Sequence, residues 1–112
     1  MPDHDPEDLK LVTLARSARA RNGAAEGAAV RDGTGRTYVA TPVLLQGLTL
    51  TAVQAAIAAA VSSGAGALEA VALVGPTDAS AADRSLAAEL AAEGARFLVA
   101  DAAGAVTASD PL

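Results

Sequence analysis

Apolar positions along this chain change their period several times, and each change marks a predicted element. From Pro6 to about Asn22, Leu11, Leu14, Ala15 and Ala18 recur at helical spacing, and Asn22-Gly23 supplies the stop. Glu26 to Arg31 and Thr37 to Thr41 read as short strands on either side of Asp32-Gly33-Thr34-Gly35, a turn in which glycine permits positive φ. Pro42 closes the second strand and opens a loop to Gly47. A second helix is predicted from Thr51 to Ser62, ended by Ser62-Ser63-Gly64-Ala65-Gly66. Leu68 to Val74 is a nearly all-apolar run closed by Gly75-Pro76, as expected of a strand buried on both faces. Ser80 to Glu93 reads as a third helix with Gly94 as its C-terminal cap. Arg96 to Ala100 reads as a strand, followed by a turn and room for one more strand over Ala105 to Thr107. The order αββαβαβ predicts an α/β sandwich with a mixed sheet. Residues 1–7 are expected to be a flexible acidic tail, 8–107 the domain and 108–112 a frayed end.

Composition narrows the possibilities. The chain has 112 residues, enough for one domain with one core. Of these, 52% are hydrophobic, mostly alanine, and only Tyr38 and Phe97 are aromatic. Such a core buries little area per residue, so close approach of elements must replace bulk. A net charge of −5 argues against binding nucleic acid through phosphates. Arg16, Arg19 and Arg21 spread around a helix end and suit a solvated surface better than a binding stripe. There is no cysteine, hence no disulfide, thiolate metal ligand or cysteine nucleophile. His4 is the only histidine, and no serine has a base. No apolar run is long enough to cross a bilayer, and Met1 to Asp8 lacks the pattern of a secretion signal. A cytoplasmic location and no membrane partner are expected.

Several segments, taken in order, resemble the cytidine deaminase family. Glu26-Gly27-Ala28-Ala29-Val30 resembles the family's Val-Gly-Ala-Ala strand, and Asp32 to Tyr38 its Asp-Gly-Lys hairpin. Gly47-Leu48-Thr49 matches the Gly-Leu-Thr before the family's zinc helix, and Ala67 to Val74 the strand leading to its second zinc motif. The resemblance covers roughly residues 8–107. It implies a three-layer α/β/α sandwich with a mixed sheet of about five strands. It also implies a zinc-dependent deamination that this chain's residues do not support. Where the family carries Cys-Ala-Glu, this chain has Thr51-Ala52-Val53; where it carries Pro-Cys-Gly-x-Cys-Arg-Gln, the overlay gives Ala79-Ser80-Ala81-Ala82-Asp83-Arg84-Ser85. The zinc positions thus fall on Thr51, Ser80 and Asp83, and the proton-shuttling glutamate on Val53. Zinc in such a site takes thiolate or imidazole, and without it no water is activated. The loop Thr41 to Gln46 also lacks the family's nucleoside-gripping Asn-x-Glu.

Local chemistry offers these residues another role. Thr51-x-x-Gln54 is a capping box, and Ser80-x-x-Asp83 repeats the device with a shorter acid. Both helix ends then satisfy their own amides, and no cofactor or metal is expected. Between Ala52 and Val61 only Gln54 is polar, so this helix is apolar all round while a small sheet covers one side. The remaining side needs a partner, and a homo-oligomer, dimer or tetramer, is expected, as the resemblance also implies. The leading reading is a non-catalytic oligomeric module with interaction or regulatory work, its protein partner unidentified. The alternative is a nucleoside- or base-binding protein that keeps a remnant pocket around Gly27, Ala28 and Arg84 without turnover.

Overall fold

A computed structural model describes residues 4–112; residues 1–3 of the expected tail lie outside the described residues, while its Pro6 and Glu7 are not tail but the first helical residues, because the Asp5 carboxylate caps them. Helix α1 runs Pro6–Asn22, with Asp5 capping its start through Glu7 N at 2.8 Å and Gly23 ending it at φ 59°. Strands β1 (Gly27–Asp32) and β2 (Thr37–Ala40) form the expected hairpin. A two-residue ladder follows, β3 (Val43–Leu44) with β4 (Thr49–Leu50), then α2 (Ala52–Ser62) and β5 (Leu68–Val74). Helix α3 (Ala81–Glu89), β6 (Ala91–Ala100) and β7 (Val106–Pro111) complete the chain. The main sheet is five-stranded in the order β2-β1-β5-β6-β7, with β5 and β6 parallel and every other pair antiparallel. The mixed α/β sandwich expected from the sequence is the observed architecture.

Alternation along the strands divides the core in two. Ala29, Ala70, Ala72, Val74 and Leu98 face Leu11, Val12 and Ala15 of α1. Ala28, Val30, Val71, Leu73 and Phe97 face Val53, Ala56 and Ile57 of α2 and Ala87 of α3. The small residues let helix backbones lie close to the sheet. At Gly27 the approach is closest: a Cβ there would run into the Ala15 carbonyl oxygen and lie 3.1 Å from the Arg19 amide nitrogen and Cβ.

Three further expectations fail, each for a tertiary reason. The segment after Pro42 is not wholly a loop, because Val43 pairs with Leu50 and Leu44 with Thr49 around a turn closed by Leu45 N to Leu48 O at 2.9 Å. Helix α3 stops at Glu89, and Gly94 is not its cap; the chain enters β6 at Ala91, opposite Leu68, and Gly94 sits within that strand at φ 80°. The pairing of Ala91 with Leu68 and the burial of β6 from Ala95 onward outweigh the helical tendency of Leu90 to Glu93. Finally, residues 108–112 do not fray. Residues 108–111 belong to β7, whose ladder pairs Leu98 with Ser109 and Phe97 with Asp110, and beyond it Leu112 N donates to Ala95 O at 2.8 Å. An edge strand needs only one packed face, so its polar sequence hid it.

Asp32 closes the β1–β2 turn. Its Oδ1 accepts from the Thr34 hydroxyl (2.7 Å), Thr34 N (2.9 Å) and Arg36 N (3.0 Å), and Oδ2 from the Tyr38 hydroxyl (3.1 Å). The Thr34 hydroxyl, with the two amides and Tyr38, holds this carboxyl below its ordinary value against the opposing effect of burial. A depressed native value means that the stabilisation is present above about pH 4 and is lost as pH falls through the native value. In urea melts, the stability difference between wild type and Asp32→Asn is expected to shrink steadily below about pH 4. Gly27→Ala is expected to lower unfolding free energy by about 2 kcal/mol, read from the same melts at neutral pH.

Candidate functional site at the junction of two helix N-termini

The residues singled out from the sequence gather where α2 and α3 begin. An α-helix starts with amides that lack intrahelical partners and with a partial positive charge, so two such ends brought together need acceptors and negative charge. At α2, Thr51 Oγ1 accepts from Gln54 N at 3.1 Å while Gln54 Oε1 accepts from Thr51 N at 2.9 Å, a complete capping box. At α3, Ser80 Oγ accepts from Asp83 N at 3.1 Å. The two ends are joined by one bond, Thr51 Oγ1 donating to Asp83 Oδ1 at 3.0 Å. Asp83 is 4% exposed, one of few buried charges in the chain. A second carboxylate joins them: Glu26 Oε1 accepts from Ala52 N at 3.2 Å, reaching from just before β1 to the first turn of α2. Sequence reasoning missed Glu26, and no local pattern could have found it.

Thr51, Ser80 and Asp83 are therefore neighbours, but both hydroxyl oxygens already accept from helix amides and the Thr51 proton is given to Asp83 Oδ1. One carboxylate and two hydroxyls, both hydroxyls already capping, do not form a zinc-binding set. Among the described residues no group of three His, Cys, Asp or Glu side chains is placed to hold a metal ion. Val53 is fully buried, packed in the core with Ala28, Val30 and Ile57.

Gly27 and Ala28 point to opposite faces. Ala28 lies on the α2 side, whereas Gly27 lies against α1, so strand alternation removes Gly27 from the remnant pocket. Arg84 is engaged in ion pairs at the start of α3. Its Nη2 meets Asp78 Oδ1 at 2.7 Å, its Nη1 meets Asp110 Oδ2 at 3.2 Å, and its guanidinium lies 4.9 Å from the centre of the Phe97 ring. It clamps α3 to β7 over the one large aromatic of the core. Its hydrogen bond, with another from Ala79 N, holds the Asp78 carboxyl below its ordinary value. Both acids are open to water, so the ion pairs themselves contribute little. Among the described residues, neither the surface cavity of about 610 Å³ nor that of about 320 Å³ is lined by Thr51, Val53, Ser80, Asp83 or Arg84.

A family model described as cytidine deaminase-like matches residues 4–104. The chain belongs to the cytidine deaminase-like family. Among solved structures, cytidine deaminase from Mycobacterium tuberculosis is 28% identical, with a TM-score of 0.66, over 87% of this chain and 85% of that one. Cytidine deaminase from Mycobacterium leprae is 26% identical, with a TM-score of 0.67, over 80% and 85%. The Burkholderia pseudomallei cytidine deaminase is 23% identical and shares the fold over 91% of this chain and 90% of that one, with a TM-score of 0.75. Comparison with curated protein sequences gives no match. No helix among the described residues is long and apolar enough to cross a membrane.

The Thr51–Asp83 bond makes a measurable claim. Thr51→Val and Asp83→Ala are each expected to destabilise the fold by about 1–2 kcal/mol in denaturant melts. The double variant should lose about 1 kcal/mol less than the sum of the two, as residues that share a bond do.

Proposed function

We propose that this cytidine deaminase-like chain is non-catalytic and acts as an oligomeric interaction module. The observation that carries the reading is Val53, a fully buried valine in the apolar core at the position where the resemblance calls for a proton-shuttling carboxylate. A valine can neither move a proton nor bind water, and deamination requires both an activated water and a general acid–base group. The engagement of Thr51 and Asp83 with each other supports the same reading, since a hydroxyl that caps a helix is a poor metal ligand.

Association is supported by the distribution of charge. No charged residue occurs between Arg36 and Glu69, although the chain carries a net −5. Within that stretch Leu44 is 77% exposed, Leu45 63%, Leu48 49% and Val61 49%. Exposed apolar side chains gathered in an uncharged segment are a common mark of an interface. A second copy suits this surface, because like-charged chains meet there without bringing charges together. The ligand-binding alternative has less support, since Gly27 faces α1 and Ala28 is buried under α2.

Zinc content, cytidine turnover and sedimentation should be measured on one preparation of tag-free protein. The expected result is no stoichiometric zinc, no turnover, and a mass of two or more chains that falls in Leu45→Glu. About one zinc per chain together with turnover would overturn the non-catalytic reading. A monomer at all concentrations would overturn the oligomeric one. Cytidine binding without turnover would transfer support to the alternative.

A further inference from the structure

The sheet face that carries α1 is only partly roofed. Helix α1 lies over β1, β2 and β5 and barely reaches β6. A groove of about 610 Å³ remains beside its first turn, floored by Arg31, Glu69, Arg96 and Ser109. Strand alternation puts this groove on the side of the sheet opposite the α2–α3 junction, since Arg96 shares the parity of Leu98 rather than of Phe97.

Charge in the groove is unevenly matched. Arg31 has its counter-ions, Asp8 Oδ1 at 2.9 Å from Nη2 and Glu69 Oε1 at 3.5 Å from Nε. The Asp8 contact is one of charge rather than a directed hydrogen bond. Asp8 Oδ1 and Arg31 Nη1 are both buried without a hydrogen-bond partner among the described residues. Arg96 differs. Its Nε donates to Ser109 Oγ at 2.9 Å and its Nη2 to Ser109 O at 2.7 Å, which fixes the plane of the guanidinium. Its Nη1 has no hydrogen-bond partner, and no carboxylate pairs with it, among the described residues. A half-buried, oriented guanidinium without a counter-ion is suited to receive a carboxylate.

The rim supplies the opposite charge. Leu68 of β5 pairs with Ala91 of β6, but Ala70 pairs with Arg96, so residues 92–95 of β6 stand against Glu69 alone. This bulge turns at Gly94, φ 80°, and presents the exposed Glu93 at the groove. Counting Asp5, Asp8, Glu69 and Glu93 against Arg31 and Arg96, acids outnumber bases in the lining. A simple anion would meet this negative surplus, and a simple cation would leave Arg96 unmatched. A small molecule carrying both charges satisfies both ends.

We propose that the groove binds a free α-amino acid or a similar small aminocarboxylate. Its carboxylate lies on Arg96 Nη1 and its ammonium group between Glu93 and Glu69. The volume is ample for such a molecule. The site is independent of the proposed loss of catalysis.

The test is calorimetric titration of the full chain with free amino acids, using acetate and ethylamine as single-charge probes. Saturable binding of amino acids, with neither probe binding at the same concentrations, is expected. Arg96→Met should weaken binding by about tenfold or more. Arg96 also holds β7, so Glu93→Gln, at the exposed bulge, serves as the second variant: an unchanged thermal melt and about tenfold weaker binding are expected. No binding of any amino acid to the wild type would overturn the assignment. So would acetate binding as well as the amino acids, or unaltered affinity in folded Glu93→Gln.

Discussion

Two helices that begin at the same place set up a repulsion between their positive ends, and much of this molecule is arranged around its relief. Each end brings amides without partners and a fractional positive charge. Asp83 answers for both helices at once, through its place in the first turn of α3 and its acceptance of the Thr51 hydroxyl. Glu26 adds a second negative group from the strand side. With these contacts in place α2 and α3 lie side by side over one face of the sheet, and Val53 is carried into the core beneath them. A metal ion placed among thiolates would solve the same electrostatic problem with greater strength. This chain solves it with a hydroxyl, two carboxylates and two caps.

That arrangement was half legible in the sequence, and the boundary has a physical cause. The caps at Thr51 and Ser80 follow from spacing within four residues, and both are present, but Ser80-x-x-Asp83 is only half a capping box because the Asp83 carboxylate turns to Thr51 instead of back to Ser80 N. The contacts that join them span 26 and 32 residues. No local rule reaches so far, so Glu26 passed for part of a strand. The same limit explains the sheet. The strong hairpin turn at Asp32 and the apolar run Leu68–Val74 were visible because their signals are local. The end of α3 and the whole of β7 were set by pairing with β6, which overrode helical tendency in one case and polarity in the other. Gly27 and Ala28 were grouped in one pocket although neighbours in a strand face opposite ways, and the structure puts Gly27 against α1.

Alanine determines the character of the interior. With Phe97 as the one large aromatic within it, the core gains little from any single side chain. It relies on backbones lying close together, as at Gly27 against Ala15 and Arg19. Packing of this kind tolerates added volume poorly, because the neighbour that must move is main chain. Arg84 over the Phe97 ring lends the core some of the area that its small residues cannot supply.

The two borders of the sheet differ in kind. Strand β2 is only Thr37–Ala40, and β7 ends in Asp110-Pro111, a charge followed by a residue without an amide proton. Short length, charge and proline are the means by which a border strand refuses another strand. Copies of this chain are thereby steered away from growing a continuous sheet, the route that leads to fibrils. The exposed leucines around the β3–β4 turn can therefore meet apolar surface without either border of the main sheet offering a ladder for a strand to extend.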